Sequence, residues 1–189
     1  CIDSADPAVL ERGLKSRNGR QSLINSAKAE KESLDEVVPL ASTYSAPLIA
    51  LTMDENGIPK TVDDRLRAAE KVVSACKSFG VPMDNVFFDL LVMPISTDVK
   101  QGLKTLAAIT EVKKQFTGCK TVLGIYNVSY GLPARGRLNA AFLCMAVYAG
   151  LDAAIIDPLD HELSAAVKTA EVLVGRDRHC RKYTRAFRK

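Results

Sequence analysis

Little in this 189-residue sequence is suited to holding a metal or a disulfide framework. Its five cysteines, Cys1, Cys76, Cys119, Cys144 and Cys180, are an odd number at wide spacings, and no CxxC pair occurs. That argues against a bridged scaffold and against a zinc site, and scattered free thiols suit a reducing cytoplasm. The two histidines, His161 and His179, stand far apart and match no ligand spacing. No apolar run approaches the roughly 18 residues needed to span a bilayer, and no signal-peptide pattern opens the chain. No strand-like run is followed by a Gly-rich phosphate-binding fingerprint, which disfavours a dinucleotide-binding fold. Internal repeats and low-complexity segments are missing too. The expectation is a cytoplasmic protein that binds no metal, enters no membrane and binds no nucleic acid.

Hydrophobic residues at 47% and charged residues at 25% suffice for one sizeable core, so residues 1–189 are expected to form a single domain. The net charge of +4 is mild but unevenly spread. Arg176, Arg178, Arg181, Lys182, Arg185, Arg188 and Lys189 crowd the C-terminal end against one acid, Asp177. Such a tail is either a solvated helix or a surface for an acidic partner. The methionines Met53, Met83, Met93 and Met145 read as core filler.

Strand-like and helix-like segments alternate throughout. Short apolar runs occur at Cys1–Asp3, Leu23–Asn25, Ala46–Thr52, Val86–Asp89, Lys120–Asn127 and Ala153–Asp157. Each has the buried character of a parallel strand covered on both faces. Between them the spacing predicts helices over Ala8–Lys15, Ala29–Ser42 with a break near Pro39, Val62–Phe79, Val99–Phe116, Leu138–Ala149 and Ser164–Val174. Asp6-Pro7 and Asp63-Asp64 mark helix starts, and Gly80, Gly150 and Gly175 mark stops. This is an α/β rhythm of six βα units. Both a doubly wound sheet and a (β/α)8 barrel fit it. The polar residues at the strand ends favour the barrel, where catalytic groups collect at the carboxyl ends of many strands. Six units against eight, and an opening at Cys1 inside a strand-like run, lead to the expectation of an N-terminally truncated barrel lacking roughly 60 residues.

Asp3, Asn25, Asp89 and Asn127 each close one of these runs or lie at its end. One such residue commonly caps the following helix. Four in one barrel mouth make a ring of hydrogen-bonding groups. A pterin suits such a ring, because its 2-amino group and protonated ring nitrogens offer paired donors to a carboxylate. Asp157, in Asp157-Pro158-Leu159-Asp160, either caps the next helix or lines the site. The Gly57-Ile58-Pro59 turn reads as loop chemistry on the same face.

Cys1-Ile2-Asp3-Ser4, Leu23-Ile24-Asn25-Ser26, Leu48–Asp54, Phe88-Asp89 with Leu90–Pro94, Gly124–Pro133 (GIYNVSYGLP) and Gly150–Asp160 (GLDAAIIDPLD) follow one another in order. This series resembles the methyltetrahydrofolate:corrinoid/iron-sulfur protein methyltransferases, pterin-binding TIM barrels, over essentially the whole chain. It is similar to the folate module of cobalamin-dependent methionine synthase more loosely, and to dihydropteroate synthase more loosely still. The resemblance implies that Asp3, Asn25 and Asp89 hold the pterin and that Asn127 lies near N5 of the folate. It also puts Arg135 in a loop that meets the folate tail or the corrinoid. The implied activity is methyl transfer between N5 of methyltetrahydrofolate and the cobalt of a corrinoid. The corrinoid (cobalamin) is carried by a partner protein, such as a corrinoid/iron-sulfur protein, so this chain itself holds no cofactor. A homodimer is expected of the complete protein. In that mechanism Asn127 donates a hydrogen bond to N5 as negative charge develops there. Two rival readings remain, a dihydropteroate synthase-type enzyme and a non-catalytic, truncated pterin-binding barrel.

Overall fold

The computed structural model describes residues 1–188; Lys189 of the basic tail lies outside the described residues. Six strands, β1 (Ile2–Asp3), β2 (Ile24–Lys28), β3 (Leu48–Leu51), β4 (Val86–Asp89), β5 (Lys120–Gly124) and β6 (Ala153–Ile155), form one sheet. Every adjacent pair is parallel, and the strands lie side by side in chain order. A doubly wound sheet reverses its strand order at a switch point. This sheet never reverses, so the alternation resolves to the singly wound, barrel-type arrangement. Among the described residues β1 and β6 pair on one side only, so the sheet is open between them.

Helices follow each strand: α1 (Pro7–Lys15), α2 (Lys31–Thr43), α3 (Val62–Ser78), α4 (Gln101–Gln115), α5 (Arg135–Ala149) and α6 (His161–Leu173). A short seventh, α7 (Arg181–Phe187), ends the chain. Local signals explain most of the boundaries. Asp6 accepts from the Ala8 amide ahead of Pro7, and Asp160 accepts from the Leu163 amide. Thr61 and Asp64 form a reciprocal capping box on α3. Gly150 ends α5 at φ +117°, a backbone region closed to residues with a Cβ. The core runs between the helices and the sheet, with Leu10, Leu14, Ile24, Leu48, Phe88, Ile109, Leu123 and Leu143 all buried.

Five elements depart from the sequence reading. β2 does not stop at Asn25 but continues to Lys28 past a bulge between Asn25 and Ala27. β5 stops at Gly124 rather than reaching Asn127, and Ile125–Ser129 forms a 3-10 turn. Ile125 and Val128 bury their side chains in that turn, which leaves Asn127 exposed. α5 starts at Arg135 and α6 at His161, each three residues earlier than the spacing suggests. Finally, α2 does not break at Pro39. The burial of Leu34, Val37, Val38 and Ala41 carries the helix through the missing hydrogen bond.

Pro39 has no N–H to give the carbonyl one turn back, so Pro39→Ala should restore a helical bond. The expected gain is about 1–2 kcal/mol, net of the stiffness that proline lends the unfolded chain. Urea denaturation checks it; a lower midpoint for the variant would show that the ring's packing matters more than the lost bond.

Candidate functional site

Because all six strands run parallel, their carboxyl ends face one way; Asp3 and Asp89 close β1 and β4 there, whereas Asn25, expected at a strand end, is the second residue of β2, which runs on to Lys28. Asp3 pairs in register with Asn25 on the neighbouring strand. Asn25 is opposite Ile49 on β3, whereas Asp89 is opposite Leu51, so Asp89 stands further towards the carboxyl edge. Asp3 opens onto a cavity of about 370 Å³ shared with Ser4, Ser26, Lys28, Ser33 and Leu51. Among the described residues, the side chains of Asp3, Asn25 and Asn127 make no hydrogen bond to protein. None of the three caps a helix, since α1, α2 and α5 begin behind Asp6, Glu30 and Ala134.

Asp89 is held far more tightly. The Thr52 amide and the Thr52 hydroxyl both donate to the Asp89 carbonyl at 2.9 Å. The Leu91 amide donates to Asp89 Oδ1 at 2.8 Å, which leaves Oδ2 as the open acceptor. Phe88 and Leu90 on either side are fully buried. Burial pushes the Asp89 carboxyl up to about 6, against the Leu91 hydrogen bond that favours its charged form. At the top of β4 this is a carboxylate that is poorly solvated by the free protein and open to an N–H donor.

Asn127 sits on a turn braced from several directions. The Ile95 amide donates to the Val128 carbonyl at 3.0 Å, and Ser96 Oγ donates to the Tyr130 carbonyl at 2.7 Å. Arg135 donates through Nε to Ser129 Oγ at 3.0 Å and through Nη2 to the Tyr126 carbonyl at 2.8 Å. The Tyr126 hydroxyl donates to Asp160 at 3.0 Å and accepts from the Asp157 amide at 3.1 Å. The Asn127 side chain folds back near Gly124, where a Cβ would stand 3.4 Å from its amide nitrogen. The backbone of the turn is thus held by its neighbours, while the Asn127 side-chain amide is exposed and without a protein partner among the described residues.

One placement expected from the sequence needs correction, and of the two alternatives left open for Asp157 one is removed. Arg135 is not a loop residue; it opens α5, and its guanidinium is engaged with the Ile125–Ser129 turn. Asp157 does not cap α6, which Asp160 does. It is exposed, and its carboxylate accepts from the Leu159 amide at 2.8 Å in a local turn. Sequence reasoning also missed Arg65, which is fully buried on α3 and donates to the carbonyls of Leu90, Leu91 and Thr61. Its signal was present: Arg65 shares the helical face of Ala68, Ala69, Val72 and Cys76, an arginine at a core position. Tyr126 and Thr52 carried no comparable signal. In the tail, Asp177 accepts from the Lys182 and Tyr183 amides and so anchors α7.

Residues 1–157 match the family model described as pterin binding enzyme. The chain is 32% identical over 190 residues to the methylcorrinoid:tetrahydrofolate methyltransferase of Eubacterium limosum, covering all of this chain and 70% of that protein. It is 35% identical over 167 residues to the methionine synthase of Mycobacterium leprae (strain TN), covering 82% of this chain but 14% of that protein. Among solved structures, a dihydropteroate synthase from Coxiella burnetii in complex with pteroic acid superposes with a TM-score of 0.70. That likeness covers 93% of this chain and 68% of the other at 19% identity, and at that identity it speaks for the fold alone.

The perturbed carboxyl of Asp89 has a consequence for stability. Its value of about 6 lies above the ordinary 3.8, so the folded protein holds this proton more tightly than the unfolded chain does. The resulting stabilisation is complete below about pH 4 and is lost as pH rises through 6. Asp89→Asn, which cannot ionise, should therefore change stability little near pH 4 and raise it at pH 8 by roughly 1–3 kcal/mol. Urea midpoints at the two pH values test this; an equal effect at both would place the carboxyl in water.

Proposed function

Because the chain belongs to the pterin-binding enzyme family, we propose that it moves a methyl group between N5 of methyltetrahydrofolate and the cobalt of a corrinoid carried by another protein. The likeness to the Eubacterium limosum methyltransferase along the whole chain supports the reaction class. The observation that carries the reading is the free, exposed amide of Asn127 on its braced turn. The corrinoid supplies the cobalt that gives or takes the methyl group. The remaining work falls to residues of this chain.

Asp89 Oδ2 accepts from the donors of the pterin's pyrimidine edge, while Oδ1 stays with the Leu91 amide. Asp3 and Asn25, side by side on β1 and β2, meet the remaining donors and acceptors of the ring. When the methyl group leaves N5, negative charge grows on that nitrogen. The Asn127 amide donates to it there, and the bond strengthens as the charge develops. An amide does not surrender its proton, so Asn127 stabilises charge rather than acting as a general acid, and water delivers the proton that ends on N5 (or takes it up in the reverse direction). The same contacts serve both directions of transfer. A dihydropteroate synthase-type condensation has a pyrophosphate to neutralise instead. Here Arg135 already donates twice to protein oxygens, which weighs for methyl transfer.

The reading is tested by single-turnover methyl transfer from methyltetrahydrofolate to cob(I)alamin, followed by the change in corrinoid absorbance. Lack of transfer would end it. Within that assay Asn127→Ala should lower the maximal rate about ten- to a thousand-fold, the range for one lost charge-stabilising donor. Folate affinity should fall less than the rate, and the melting temperature should hold, because the side-chain amide braces nothing. A normal rate with a lowered melting temperature would make Asn127 a scaffold residue.

Folate binding should also depend on pH. Asp89, at about 6, is mostly ionised at pH 7.5 and can accept from the ring. Below pH 6 it takes up a proton of its own, and affinity should fall about tenfold for each further pH unit. Titration calorimetry between pH 7.5 and 5 checks this, and a flat profile removes Asp89 from the ring contact.

A further inference from the structure

We propose that Arg65 is the positioning residue for Asp89, fixing one peptide plane so that the Leu91 N–H points at the carboxylate. The proposal rests on the reading that Asp89 receives the pterin. The Leu90 carbonyl and the Leu91 N–H belong to the same planar, trans peptide unit and point in opposite directions. Arg65 Nε donates to the Leu90 carbonyl at 2.6 Å, and the Leu91 amide on the other side of that plane donates to Asp89 Oδ1 at 2.8 Å. Arg65 Nη2 takes the next carbonyl, Leu91, at 3.2 Å, and Nη1 takes Thr61 at 3.0 Å.

One guanidinium thus grips the carbonyls on both sides of the Leu91 Cα. Leu91 needs such a grip, because its φ of +56° lies in the left-handed region that disfavours residues with a Cβ. Space filling does not explain the arginine. The rest of the buried face of α3 is Ala68, Ala69, Val72 and Cys76, and an apolar side chain would suit it better. Burial works against the guanidinium's charge, and Arg65 bonds to no carboxylate. All three of its described hydrogen bonds go to backbone. The three-way contact is specific to a rigid fork, which lysine's single ammonium does not reproduce.

Arg65→Lys tests the proposal because it keeps the charge and loses the fork. The first readout needs no ligand: the titration of the Asp89 carboxyl by carbon NMR. Neighbouring β3 offers Leu51 and Thr52 and neighbouring β5 offers Val122, none of them acidic or basic in this range. On α3, Arg65 keeps its charge in the variant and Asp64 is unaltered, engaged with Thr61 and Arg67. A shift in the Asp89 midpoint therefore reports the Leu91 hydrogen bond. We expect the midpoint to rise by about half a unit or more, because the bond that favours the charged form is loosened. The second readout is methyltetrahydrofolate affinity at pH 7.5, expected to weaken about tenfold, with the maximal transfer rate changed far less.

An unchanged midpoint in a folded variant overturns the proposal. A raised midpoint with unchanged folate affinity upholds the link from Arg65 to Asp89 and overturns the reading of Asp89 as the ring contact. Should Arg65→Lys alone fail to fold, it is paired with Leu91→Gly, whose backbone takes the left-handed region unaided. The same upward shift is then expected relative to Leu91→Gly alone, and its absence again overturns the proposal.

Discussion

A parallel strand pair aligns the carboxyl ends of both its strands, so six strands paired in chain order deliver six following loops to one edge of the sheet. The candidate site depends on that alignment. Asp3 and Asp89 are far apart in sequence, yet they share an edge because their strands share a direction, and Asn25 lies in register beside Asp3. The loop residues Asn127 and Asp157 reach the same edge for the same reason.

Along this edge the hydrogen bonds are divided unequally. Main-chain groups are heavily engaged: Thr52 holds the carbonyl of Asp89 and Arg65 those of Leu90 and Leu91, and Ile95, Ser96 and Arg135 hold the turn under Asn127. The side chains that the binding reading needs stay free, or nearly so. The held backbone confines the ordering cost of any docking ligand to the side chains that meet it. The cost falls on the free protein, which keeps Asp89 as a carboxylate in a poorly solvated place.

The strands were legible because parallel strands covered on both faces read as short apolar runs between helical patterns. Val86–Asp89 matches the structure at both ends. The reading of Lys120–Asn127 as one strand failed because Ile125, Tyr126 and Val128 continue the apolar run while turning the chain, and periodicity does not separate a 3-10 turn from a strand there. Pro39 misled because local propensity was overridden by burial. The use of Arg135 was beyond reach, since it is set by contact with backbone groups that only the folded turn brings near. The choice between barrel and doubly wound sheet needed the strand order, which no local pattern encodes.

Strand order also sets how the molecule is assembled. Ile2 pairs with Ile24, Ile24 with Leu48, Leu48 with Val86, and Val122 with Ala153. Among the described residues each strand pairs with the strand of the next unit, which keeps these loop closures short. The turn carrying Asn127 is the exception in reach, because Tyr126 bonds to Asp160 beyond β6, so the brace under one unit's turn is supplied by the unit that follows it.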